Sequence, residues 1–135
     1  MRMKKLNEAA NNVINRRPTC DDIKYFIQNM DANRYNHRAT SDGFRTGYFD
    51  YRDSLLKTLR SSYYETNDVD EYIESLRGIM KQQALRSFGT DAVTEYQLTD
   101  NQRGKAYAHL EIERFLSDTE QYKGPNRANI YGSTV

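Results

Sequence analysis

In five stretches of this 135-residue chain, apolar side chains recur every third or fourth position. That spacing lays them on one face of an α-helix, whereas a half-buried strand needs strict alternation. Residues 3–16 place Met3, Leu6, Ala10, Val13 and Ile14 on such a face, and Arg16, Arg17 and Pro18 close the segment. A second face follows with Ile23, Phe26, Ile27 and Met30, opened by Thr19 as a cap with Asp21 and Asp22 at the positive end of the helix dipole. Spacing resumes with Tyr48, Tyr51, Leu55, Leu56, Leu59 and Tyr63, then with Val69, Tyr72, Ile73, Leu76 and Met80 behind a cap at Asn67 or Asp68. Gly89 ends that fourth segment, and Gly78 within it predicts a kink or a close backbone approach. Thr99, followed three residues on by Gln102, is a capping box opening a last helix with Ala106, Leu110, Phe115 and Leu116, stopped by Lys123-Gly124-Pro125.

The punctuation between these faces sets the organisation. From Asn33 to Gly47 the periodicity lapses into Asn, Ser, Asp42-Gly43 and a second glycine, which predicts a long loop over 33–47 with a turn at Asp42-Gly43. Residues 91–98 alternate weakly but start at Thr90-Asp91, and a short helix is the preferred reading. After Lys123 only Ile130, Tyr131 and Val135 offer apolar anchors, so 124–135 reads as an extended arm that orders on docking. The expectation is an all-α domain over residues 1–123, a bundle-like set of four to five helices, with that arm appended.

Leu, Ile, Val and Phe make up only 25 residues, a thin supply for a core. Eleven tyrosines and a net charge of +1 argue against disorder, because a tyrosine ring is buried while its hydroxyl keeps a polar partner. A thin core gains from further burial against copies of itself or a partner, which favours an assembly component over a free enzyme. One cysteine, Cys20, forms no intramolecular disulfide, and no signal-peptide or membrane-span pattern is present, so an intracellular or virion setting without membrane contact is expected.

Charge is uneven: residues 1–60 carry twelve Lys and Arg against seven Asp and Glu, and residues 61–135 carry eight against twelve. Opposite halves of this kind pair head to tail between copies or pack on each other within one. The basic half contains residues 33–52, where Arg34, Arg38, Arg45 and Arg52 stand among Tyr35, Phe44, Tyr48, Phe49 and Tyr51. Arginines could neutralise phosphates while rings stack on unpaired bases. Asp42, Asp50, Asp53 and the near-neutral whole count against nucleic acid, and Tyr, Phe and Arg are the residues enriched at protein interfaces. The predicted partner-binding set is therefore Arg34, Tyr35, Arg38, Phe44, Arg45, Tyr48 and Arg52, with Arg127, Ile130 and Tyr131 of the arm.

Chemistry finds little purchase. His109 and Glu113 stand four apart on the last helix, a spacing that a surface ion pair explains without catalysis. Two histidines and one cysteine close no metal shell, and the glycines at 43, 47 and 104 fit neither a phosphate loop nor a dinucleotide fingerprint. No cofactor, metal or small-molecule substrate is expected. Cys20 in a first helical turn would gain acidity from the dipole but for Asp21 and Asp22 beside it, and reads as an inert core thiol.

In general shape, a small helical domain with an interrupting loop and a docking arm, the chain resembles the head-completion and connector proteins of tailed bacteriophages. That resemblance implies a non-enzymatic structural or adaptor protein, in a homo-oligomer or larger protein assembly. The other readings are a nucleic-acid-binding regulator and a phage-encoded inhibitor of a host enzyme, each using the same basic-aromatic loop.

Overall fold

The computed structural model describes residues 16–35, 41–61, 65–90 and 97–122, and among them every regular element is helical. The helix predicted over 3–16 lies outside these residues except for Arg16. So do the arm over 124–135 and all of 91–98 but its last two residues. Helix α1 spans Cys20–Gln28 and leads into a single 3₁₀ turn, Ala32–Tyr35. The next three are α2 (Asp42–Ser61), α3 (Val69–Phe88) and α4 (Asp100–Gln121).

The caps are those the sequence announces. The Thr19 hydroxyl accepts the Asp22 N–H while the Asp22 carboxylate accepts the Thr19 N–H, and Thr99 and Gln102 do the same at α4. Asp68 caps α3 by accepting the Glu71 N–H, and Gly89 ends it at φ 76°, where a side chain would be strained. Thr99→Ala is expected to cost about 1 kcal/mol in a urea titration, leaving the slope with denaturant unchanged.

One expectation fails in an informative way. The loop predicted over 33–47 gives way to helix over 42–47, because α2 starts at Asp42 rather than near Tyr48, while residues 36–40 lie outside the described residues. Ser41 opens it: its hydroxyl oxygen accepts the Phe44 N–H, donates to Asp100, and its carbonyl accepts the Arg45 N–H. Asp42-Gly43 is thus the first turn of a helix. The glycines that look like loop punctuation serve a crossing instead. A Cβ on Gly47 would lie 2.0 Å from the carbonyl oxygen of Asn101, and one on Gly104 would lie 2.0 Å from that of Phe44, so α2 and α4 touch backbone to backbone.

This crossing organises the domain. Gly43 stands beside Asp100, Gly47 beside Asn101 and Tyr51 beside His109, so α2 and α4 run in the same direction and make the most extensive contact. Helix α3 returns antiparallel to α4, with Ser87 bonded to Gln102 at one end and Arg77 to Glu113 and Glu120 towards the other. Helix α1 also lies antiparallel to α4, Arg17 reaching the Thr119 carbonyl and Phe26 stacking on Phe115. The core they enclose is contributed by Ile23, Ile27, Tyr48, Tyr51, Leu55, Ile73, Leu76, Met80, Ile112 and Leu116, all at most 1% exposed. Tyrosine rings do fill it, as the composition requires.

Two details of the predicted faces change. Leu110 is 45% exposed, while His109 beside it is buried, because α4 is gripped by α2 along Gly104, Ala108 and Ile112 and by α3 on the adjoining side. Gly78 makes no close approach: α3 continues through it, and a Cβ there would meet nothing within 4 Å.

Candidate interaction surface

The predicted basic-aromatic set divides when its side chains are traced. Phe44 and Tyr48 are buried, 3% and 0% exposed, and so are corrected from partner contacts to core. The loop reading leaves the Phe44 ring without a helical face to occupy, and it puts Tyr48, at the start of a helical face, at the loop's edge. With α2 starting at Asp42, the positions 44, 48, 51 and 55 form one stripe against α4. Tyr35, Phe44, Tyr48 and Tyr107 then meet edge to face or offset, at centroid separations of 5.1 to 6.4 Å. Arg38 and the arm residues Arg127, Ile130 and Tyr131 lie outside the described residues.

A single carboxylate gathers much of the rest. Glu111 accepts the Tyr35 and Tyr48 hydroxyls on one oxygen, both at 2.7 Å, and Arg34 on the other at 2.8 Å. Burial, reinforced by the bond to Glu111, pushes the Tyr35 phenol up to about 12 and the Tyr48 phenol further in the same direction. Arg52 donates to the Met30 carbonyl and to Asp53 and covers the Phe49 ring at 4.8 Å, so it clamps the end of α1 to α2. Arg45 pairs with Asp42 at the start of α2. Arg34, Arg45 and Arg52 thus all contact carboxylates of the same chain, which counts against a phosphate-binding role.

His109 and Glu113, the i,i+4 pair, are not partners. His109 is buried and its Nδ1 faces the Tyr51 hydroxyl across the α2 and α4 contact, while Glu113 binds Arg77. Burial holds the His109 pKa below 6.5, against the opposing pull of Glu113, and raises that of Tyr51 above its ordinary value. The phenol therefore donates and the neutral imidazole accepts, which leaves the ring proton on Nε2. Because the folded state disfavours imidazolium, stability is full above pH 6.5 and falls as the pH drops below it. His109→Gln is expected to flatten that acid limb in thermal unfolding between pH 7 and 5. An unchanged limb would place the acid sensitivity elsewhere. The tyrosines act at the other end: Tyr35 and Tyr72 ionise near 12 in the fold against an ordinary 10.0, so stability is full below pH 10 and declines above it. Absorbance near 295 nm is expected to show these phenolates appearing together with unfolding.

Two recesses lie among the described residues. One, between the start of α1 and the end of α2, holds Cys20 with Asp21, Lys24, Arg60 and Glu65 of both charge signs, and burial followed by Asp21 pushes the thiol pKa up. The other is an apolar groove of about 260 Å³ between α1 and α4, floored by Phe26, Met30 and Phe115. Tyr25 stands on its rim at 66% exposure, and Asp22 with the Arg34–Glu111 pair supplies the polar border. The sequence marks Phe26, Met30 and Phe115 only as apolar positions. Their meeting in a groove depends on α1 and α4 packing antiparallel with Phe26 and Phe115 stacked at 4.0 Å.

Among the described residues no three His, Cys, Asp or Glu side chains cluster as a metal site, and no helix is long and apolar enough to cross a membrane. No known protein family, curated protein or solved structure matches the chain, so the geometry alone guides the functional reading.

Proposed function

We propose that this is a non-enzymatic structural or adaptor protein that works through protein–protein contacts, including contacts between its own copies, as a connector-like component of a larger assembly. The observation that supports this is the inward commitment of its reactive side chains. Glu111 is occupied by two phenols and a guanidinium, His109 by Tyr51, and Arg77 by Glu113, Ser117 and Glu120. These groups build a rigid polar frame around a tyrosine-rich core. The outward surface is instead marked by exposed Tyr25, Leu85 and Leu110, and by the exposed carboxylates Glu74 on α3 and Asp118 on α4. These carboxylates offer charge to the exposed Lys24, Lys57 and Arg60 of a neighbouring copy.

Light scattering on the purified chain tests this. A defined multimer whose mass falls at high salt is expected, with Glu74→Lys/Asp118→Lys shifting the population towards monomer. A monomer of constant mass at low and high salt would overturn the self-assembling reading.

A further inference from the structure

The groove between α1 and α4 and the side chain on its rim have shapes that fit each other. Tyr25 projects from that rim at 66% exposure, the highest of any large apolar side chain among the described residues. Beside it lies the recess of about 260 Å³ floored by Phe26, Met30 and Phe115, with room for one aromatic ring. A knob and a hole side by side on one face are self-complementary, because a two-fold axis seats each copy's knob in the other copy's hole and closes both at once. We propose that two copies of this chain pair through this face, with their α1 helices antiparallel and Tyr25 of each seated in the groove of the other. The inference rests on the reading of contacts between copies and names a surface that makes one.

Charge selects the antiparallel course. The groove is acidic where α1 begins, at Asp22, and is bordered by Arg34 beyond the helix's other end. Exposed Asp21 precedes Tyr25 by four residues and so shares its flank of α1. With the two helices antiparallel, Asp21 of each copy travels towards Arg34 of the other, at both ends of the pair. Arg34 gives one N–H to Glu111 and, with its side chain 59% exposed, has further donors for a second carboxylate. A parallel course would instead set the acidic ends together, which like charges oppose. The ring itself suits the site, since a phenol is apolar along its body and polar at its tip, like a groove with an apolar floor and a polar border. Nine residues of α1 reach only about 14 Å, so the contact falls short of the area, about 1,200 Å², that stable complexes bury. It is therefore weak alone and gains strength where charged contacts already hold copies side by side.

The test is isotope-filtered NMR on an equal mixture of labelled and unlabelled full chains, at about 1 mM protein and about 1 M salt, where charged contacts between copies are screened. The expected result is a set of cross-peaks from the Tyr25 ring of one copy to the Met30 methyl and the Phe115 ring of the other, with a Met30 methyl shift that moves with protein concentration. Tyr25→Ser should weaken the pairing at least about tenfold, as loss of a central aromatic anchor does. Tyr25→Phe should retain it, and so should Leu110→Ser, which removes an exposed apolar side chain outside the groove lining. Circular dichroism on each variant verifies that the fold is kept. A Met30 shift that is the same at every concentration, with no cross-peaks between copies, would overturn the proposal and assign the groove to the chain itself or to a foreign partner. A low-salt multimer in light scattering without these cross-peaks would overturn the groove contact and leave the charged assembly standing. Cross-peaks without any salt-sensitive multimer would uphold the groove contact and overturn the charged assembly.

Discussion

Gly104→Ala is expected to destabilise this protein by at least about 3 kcal/mol, a large share of the 5–15 kcal/mol that holds a domain of this size. The new methyl carbon would sit 2.0 Å from the Phe44 carbonyl oxygen, 2.8 Å from the Tyr48 nitrogen and 2.9 Å from the Phe44 carbonyl carbon. All three are backbone atoms of α2, so no side chain can swing aside. Helix α2 must back away as a body, loosening Phe44, Tyr48 and Tyr51 from α4 together. Gly47→Ala meets Asn101 in the same way and should behave alike. Gly78→Ala is the control: it lies in a helix interior with open space beyond it, and should stabilise by about 0.5–1 kcal/mol. Urea unfolding followed by circular dichroism measures all three. If Gly104→Ala unfolded within about 0.5 kcal/mol of the parent, the α2 and α4 backbones would not be in contact.

The second large effect belongs to Glu111. Removing its carboxylate by Glu111→Ala leaves the Tyr48 hydroxyl, inside a residue 0% exposed, without its acceptor and also releases Tyr35 and Arg34. A cost of about 3 kcal/mol is expected, since an unsatisfied buried donor retains its full desolvation penalty. Tyr48→Phe removes the donor instead and should cost about 1 kcal/mol. The double variant is the informative one: it should be at least about 1 kcal/mol less destabilised than the sum of the two singles, because the orphaned donor is gone. Strict additivity would mean that the two groups do not interact.

Much of this fold is legible in the sequence because local chemistry and tertiary structure agree there. Thr19, Asp68, Gly89 and the Thr99–Gln102 box act through neighbours three or four residues away, so their reading needs no knowledge of the rest of the chain. The same holds for the apolar faces of α1, α2 from Tyr48 onward, and α3. Gly43 and Gly47 were misread for the opposite reason. Local propensity makes glycine a helix breaker, and only contact with Asp100 and Asn101, more than fifty residues away, makes it the residue that the crossing requires. Phe44 follows that reading into the predicted partner set, while Tyr48 is legible as a helical position but not as one that α4 covers completely. The groove was hidden too, since stacking of Phe26 on Phe115 is a fact about helix packing that spacing within either helix does not encode. Arg34 and Tyr35 stand in the predicted partner set, and their common in-chain partner, Glu111, lies 77 and 76 positions further on, beyond the reach of local pattern.

The parallel course of α2 and α4 also bears on how the chain reaches its native state. An antiparallel helical pair closes as a hairpin, whereas Tyr51 and His109 are separated by 58 positions with all of α3 between them. The most extensive contact therefore requires a long excursion of the backbone to be closed first, at an entropic cost that local helix formation does not relieve. Folding should accordingly be slow for an all-helical protein. During synthesis, the face formed by Phe44, Tyr48 and Tyr51 must wait for α4, the last of the described helices to be made, before it is covered. In that interval a growing chain exposes rings that the finished fold buries, the kind of surface through which unfinished chains aggregate.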